Sequence, residues 1–178
     1  MIRLSAVIVL LLTGFSAYAK DTKITPAAPV PPQIATATKV FIANTGGDNL
    51  GAITGGTVLS GLPSRFYDEF YAAMKDWGRY EIVSTPANAD LILEINWSLL
   101  DIQEPLNAVS KTPADLGRLS LTIVDRETRI TLWAFHEHVR NGVLLSNRDK
   151  NFELTMSDLV NDMKNLAPAA GAANKSSN

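Results

Sequence analysis

His136 and His138 are the two histidines of the chain, and they stand two residues apart in the stretch Ile130 to Val139. On a β-strand, residues i and i+2 share a face. The pair therefore presents two imidazoles side by side, the start of a zinc or copper site if a neighbour supplies a third ligand. Glu94 on another long strand, or Glu104 in a loop, is the candidate for that third position. The competing reading makes them two polar residues at the exposed end of an edge strand, with Ile130, Leu132 and Ala134 carrying the same face into the core. That reading needs no further ligand and is the one adopted. A small-ligand or metal-binding periplasmic protein using the His136/His138 face stands as the alternative.

Other chemistry finds less support. The chain has no cysteine, which removes thiol nucleophiles, thiolate metal ligands and disulfides together. No Gly-x-Ser-x-Gly elbow accompanies the serines. Glu94, Asp101 and Glu104 include the two carboxylates that glycoside hydrolysis requires, but acids spread along a strand and a loop serve equally as solvated surface. The glycine-rich run from Gly46 to Gly61 lies between a strand and a helix, where phosphate loops lie. Neither phosphate fingerprint is present in it, and its one charged residue, Asp48, repels an anion. No catalytic residue and no cofactor is assigned. Trp77, Trp97, Trp133 and Phe70 fall at helix and strand spacings that place them in a core. Tyr67 and Tyr71 lie off the main stripe of their helix and are the candidates for contact with a partner.

The elements that must carry these residues follow from periodicity. Lys39 to Ala43 is a short apolar strand. Phe66, Phe70, Ala73, Met74 and Trp77 form one stripe of a helix, with Pro63 near its start and Gly78 placed for a left-handed cap. Tyr80 to Val83 predicts a short strand. Leu91 to Leu100 alternates, with Leu91, Leu93, Ile95, Trp97 and Leu99 on one face. Residues 101–116 read as a polar loop. Arg118 to Val124 and Ile130 to Val139 form a hairpin about Asp125-Arg126-Glu127-Thr128. Phe152, Met156, Leu159, Val160, Met163 and Leu166 stripe a second helix, stopped by Pro168. The expected fold is α/β (α+β): a single small domain, with a mixed sheet of about five strands packed by two amphipathic helices.

The ends set the compartment. Met1-Ile2-Arg3, the apolar run Ala6 to Leu12, and Ala17-Tyr18-Ala19 have the three-part layout of a cleavable signal peptide. The apolar run is shorter than the roughly 20 residues that span a bilayer. Residues 1–19 are expected to be the signal peptide, residues 20–37 a Pro/Ala/Thr-rich extended linker, residues 38–167 the domain, and residues 168–178 a disordered tail. Without Arg3 the chain holds 15 basic and 18 acidic side chains. No basic cluster appears, which disfavours nucleic acid and anionic membrane as partners. A mature form lacking a lipid-acceptor cysteine is expected to be unanchored, in the periplasm or secreted.

Ala87-Asn88-Ala89-Asp90-Leu91-Ile92-Leu93-Glu94 resembles the Ala-Asp entry into a central strand of small bacterial envelope domains of the TolB amino-terminal, CsgG and LpoB type. Leu121 to Thr128 followed by Trp133 is similar to their hairpin, with Arg129 where those domains carry glycine. The resemblance runs from Phe66 through Trp133. It implies an envelope α/β domain that acts through protein contacts and carries no catalytic residues. CsgG and LpoB are lipid-anchored, which a chain without cysteine is not, so their partners do not carry over. The expectation for function is an exported, non-enzymatic module that binds an as yet unidentified envelope protein.

Overall fold

The computed structural model describes residues 28–47, 58–98 and 115–167. Their elements are α1 (Pro32–Thr36), β1 (Lys39–Gly47), α2 (Arg65–Trp77), β2 (Glu81–Ile82), a 3-10 turn (Pro86–Asn88), β3 (Leu91–Ser98), β4 (Asp115–Asp125), β5 (Thr131–Arg140) and α3 (Leu145–Leu166). The five strands form one mixed sheet in the order β2-β1-β3-β4-β5. β1 runs parallel to both β2 and β3, while β3, β4 and β5 are antiparallel neighbours. This is the α/β domain with a five-stranded sheet that the periodicity predicts. The expected signal peptide and tail lie outside the described residues, as do Asp48, Asp101 and Glu104.

Both long helices lie on one face of the sheet, α2 over β3 and α3 over β4 and β5, and they touch each other. Burial follows from this. Leu91, Leu93, Ile95 and Trp97 of β3 and Leu119, Leu121 and Ile123 of β4 point under the helices and are almost fully buried. Phe66, Phe70 and Met74 from α2 and Phe152, Met156, Leu159, Val160 and Met163 from α3 close the layer from above. Removing that apolar surface from water is the main stabilising term. The opposite face carries Glu94, Asn96, Ser120 and Thr122, and alternation hydrophobic-in, polar-out is what a one-sided antiparallel sheet requires.

α2 ends as its sequence demands. Gly78 takes φ 64°, and its N–H donates to the Met74 carbonyl, a left-handed cap that glycine adopts without steric cost. The hairpin between β4 and β5 also needs a left-handed residue, and Arg129 supplies it at φ 60°. The Asp125 carboxylate holds that turn by accepting from the N–H and hydroxyl of Thr128.

Several boundaries differ from expectation. The segment expected to be an extended linker contains α1, because Pro32 opens a turn and Ile34, fully buried in the core, anchors it. β4 begins at Asp115, inside the expected loop, because Gly117 and Leu119 pair with Val139 and Glu137. α3 begins at Leu145, before the apolar stripe, because Asp149 and Asn151 have tertiary hydrogen-bond partners that hold its polar first turns. The faces of β5 are the reverse of the expectation. Trp133, Phe135, Glu137 and Val139 face the helices, in register with Ile123, Leu121, Leu119 and Gly117. Ala134, His136 and His138 share the open face with β4 residues Thr122, Ser120 and Arg118, and Ile130 is 61% exposed. A register shift that leaves Leu132 as an extra residue sets this phase.

Candidate functional site

β1 has nine residues, but β2 pairs only with its first two, Lys39 with Glu81 and Val40 with Ile82. The Val83 N–H donates to the Val40 carbonyl at 2.9 Å. The chain then turns away into the 3-10 turn at Pro86. Main-chain groups alternate sides along a strand, so Ile42 and Asn44 direct their N–H and C=O the same way as Val40. Phe41 and Ala43 direct theirs toward β3, like Lys39, whose carbonyl accepts from Asp90 N at 2.9 Å. On that side, among the described residues, no strand pairs with Ile42 or Asn44, whose partners in β3 lie on the other.

A groove of about 480 Å³ runs along this vacated edge. Tyr67 and Tyr71, one turn apart on α2, form one wall, with ring centroids 6.1 Å apart and planes tilted by 39°. Ile82, Val83 and Ser84 form the opposite side. Ile42 as a whole residue is 3% exposed: its side chain sits in the core, and its main chain adjoins the groove with little area open to water. Asp68 stands beside the tyrosines and is exposed. Among the described residues no cation pairs with it. The two tyrosines named from the sequence therefore lie beside the stretch of β1 that β2 does not pair. No periodicity signals that edge, because it exists only once β2 is known to be short and to lie outside β1.

The two histidines lie elsewhere, on the open face of edge strand β5. His136 Nδ1 is 3.1 Å from Ser120 Oγ across the β4–β5 ladder. His138 Nδ1 is 3.5 Å from Asp115 Oδ2, an ion pair when the imidazole is protonated. Glu94 pairs with Thr122, and Thr122 with Ala134, which sets Glu94 two strands away, about 10 Å at sheet spacing, and one row off from His136. The structure therefore does not bring Glu94 to the imidazoles. Among the described residues no three His, Cys, Asp or Glu side chains are grouped for a metal ion.

Two charged clusters escape the sequence. Arg65, with its side chain 13% exposed, donates to Asp149 at 2.7 Å and to Glu153 at 3.3 Å, pairs with Glu69, and lies 4.8 Å above the Phe152 ring. Ser60 N and Oγ add donors to Asp149 at 2.9 and 2.7 Å. Despite the desolvation that opposes it, these contacts hold the Asp149 carboxyl below its ordinary range. This knot joins the start of α2 to the start of α3 and is structural. Under α3, Glu137 faces Asp162 and Asp158. Burial first, then the two aspartates, push the Glu137 carboxyl above its ordinary value, and burial does the same for Asp162.

Asp90, at the Ala-Asp strand entry, accepts from Thr38 N at 2.8 Å, Lys39 N at 2.9 Å and Thr38 Oγ1 at 3.1 Å. It ties the first turn of β1 to β3 and is likewise structural. A second recess of about 380 Å³ opens beside it, next to Asp125 and Arg126. No helix among the described residues is long and apolar enough to cross a membrane.

No family model matches the chain, and no curated protein matches it. Three solved structures are similar to it at low identity. A PelC dodecamer from Paraburkholderia phytofirmans is 10% identical over 75% of this chain and 89% of that one, with a TM-score of 0.44. A DUF330 protein from Xanthomonas campestris is 11% identical over 78% and 85%, with a TM-score of 0.46. A neuraminyllactose-binding hemagglutinin homolog from Helicobacter pylori is 15% identical over 75% and 87%, with a TM-score of 0.41. Likeness of this degree transfers neither fold nor activity.

Proposed function

We propose that the chain is exported to the bacterial cell envelope and works there by binding another envelope protein, without turning over a substrate. The observation that carries this reading is the groove beside β1. It combines two adjacent tyrosines, the stretch of β1 main chain that β2 does not pair, and the Asp68 carboxylate, which has no cation among the described residues. Tyrosine offers a rigid apolar face and a polar tip, the combination enriched where proteins meet. The compartment is supported by the leader-like layout of residues 1–19. It is further supported by the resemblance of the Asp90 and Asp125 segments to the TolB amino-terminal, CsgG and LpoB domains.

The test is a photo-crosslinking amino acid placed at position 71 of the full chain, made in bacterial cells. The expected result is a discrete adduct to one envelope protein, identified by mass spectrometry and weakened by Tyr67→Ala. The same probe at Leu154, an exposed position on α3, serves as the control. Labelling at position 71 no stronger than at Leu154 overturns the site. Recovery of the protein from the cytosol with Met1 attached, instead of an envelope form beginning at Lys20, overturns the compartment.

A further inference from the structure

We propose that the occupant of this groove is an extended polypeptide segment carrying a basic residue, which adds to the sheet as a strand alongside β1 beyond the end of β2. This deepens the reading above and rests on it.

The argument begins with the main chain. A strand edge can be satisfied either by water or by groups that alternate donor and acceptor at strand spacing. Among macromolecules, an extended polypeptide offers that pattern. Ile42 and Asn44 present N–H and C=O on the side that Val40 uses to bind β2, so an added strand continues a ladder already begun. The Tyr67 and Tyr71 rings stand above this edge, where alternate side chains of the incoming segment would rest. Charge selects further. Asp68 is the one ionisable carboxylate lining the groove, and among the described residues it has no cation. A Lys or Arg on the segment complements it.

The other sheet edge differs in kind. β5 is long, but it carries the Leu132 irregularity near its start. It also turns a carboxylate, Glu137, inward beneath α3. Bulges and inward-pointing charges are the devices that discourage strand addition. The open stretch of β1, Ile42 to Asn44, turns no charged side chain inward, and the contrast between the two edges rests on that. A shift at the far end of β1, between Asn44 and Gly47, lies on the β3 side.

The test uses hydrogen exchange and a tethered probe. In the free protein, the amides of Ile42 and Asn44 should exchange at least about tenfold faster than those of Phe41 and Ala43, which point to β3. Slow exchange of Ile42 and Asn44 in dilute protein overturns the proposal. So does protection that grows with protein concentration, which would make the occupant a second copy of the chain. Ser84→Cys on the groove rim introduces a single thiol into a chain that has none. The capped peptide Cys-Thr-Val-Lys-Val-Thr-Val, joined to it by a disulfide, should slow exchange at Ile42 and Asn44 about tenfold or more. The same peptide N-methylated at alternate amides should not. Exchanging the peptide lysine for glutamate should reduce the protection, and Asp68→Asn should abolish that difference. No protection by the parent peptide, or equal protection by the N-methylated one, overturns strand addition. An adduct at position 71 would in that case survive, leaving the binding site in place with a different kind of occupant. Loss of the adduct removes both readings.

Discussion

Gly117→Ala isolates one contact that the fold depends on. Gly117 lies on the helix side of β4, and the indole of Trp97 from β3 crosses over it. A methyl group built there meets Trp97 Cζ2 at 2.5 Å, Cη2 at 2.6 Å and the Ser98 carbonyl oxygen at 2.8 Å. Carbon atoms rest at about 3.5–4.0 Å, so the indole must move by roughly 1 Å. It has little room, being 1% exposed and set edge-on against Phe152 at 6.1 Å, a ring that also packs against Arg65. Overpacking of this kind costs about 1–3 kcal/mol, and a backbone oxygen among the clashing atoms places this site toward the upper end. The backbone at Gly117 is outside the left-handed region, so alanine recovers about 0.4–1 kcal/mol from the unfolded chain. The expected net loss is about 2 kcal/mol, a fall of roughly 8 °C in Tm for a domain of this size. Urea unfolding followed by far-ultraviolet circular dichroism measures it. A double-mutant cycle attributes it. In a Trp97→Phe background the clashing ring atoms are gone while the Ser98 oxygen remains, so Gly117→Ala should cost about 1 kcal/mol less than in the parent, a coupling of about 1 kcal/mol. Alanine tolerated within about 0.5 kcal/mol in the parent, or equally costly in both backgrounds, refutes the reasoning.

Three further predictions concern the charged and strained positions. Arg129→Gly relieves a left-handed residue at φ 60°, a strain of about 1–2 kcal/mol partly offset by the freedom glycine adds to the unfolded chain. Thermal melts should show a gain of up to about 1 kcal/mol, whereas Arg129→Val should lose stability; equal Tm values for both variants contradict the turn geometry. Asp90 has its carboxyl lowered below the ordinary value of 3.8, first by the Thr38 and Lys39 amides. Its contribution is therefore present above that value and lost as pH falls through the lower, folded one. Asp90→Asn should flatten the acid limb of the stability profile at a neutral-pH cost of about 1 kcal/mol, since the carboxylate is largely exposed; an unchanged acid limb counts against the three-donor clamp. Glu137 has the opposite sign. Its folded value is raised, so the folded state holds the proton more tightly, and stability falls as pH rises from the ordinary value through the raised one. Glu137→Gln should remove much of that decline in urea titrations run upward from the ordinary carboxylate range, and a parallel decline in both proteins rejects the cluster.

What the sequence made legible divides along a physical line. Elements with one uninterrupted period were readable. The α2 stripe of Phe66, Phe70 and Met74 is buried as spaced, Gly78 caps it left-handed, and β3 alternates as written. Elements whose orientation depends on pairing were not. The phase of β5 turns on Leu132, an extra residue that shifts Trp133 and Phe135 onto the helix side and sends His136 and His138 to the open face. Nothing in the local pattern marks it, since Leu132 and Trp133 are both apolar. α1 was missed because five residues among prolines carry no period, and Ile34 gains its role only from the core it enters. The Gly117 contact is likewise silent, because Trp97 and Gly117 meet only after β3 and β4 have paired.

The candidate site was half legible for the same reason. Tyr67 and Tyr71 stood out because they interrupt a helical stripe, a local signal. The main chain of Ile42 and Asn44 had no signal of any kind. Val40 and Ile42 have similar apolar side chains, and both are buried. One binds β2 through its backbone while the other faces a groove. The difference is set by β2 ending after two residues, which leads to Pro86 starting the next turn. A proline that lacks an N–H and fixes its own φ is a poor continuation of a ladder. The uncovered stretch of β1 is thus a consequence of where β2 stops. A change that lengthened β2 past Val83 would close the groove while leaving Tyr67, Tyr71 and the core in place.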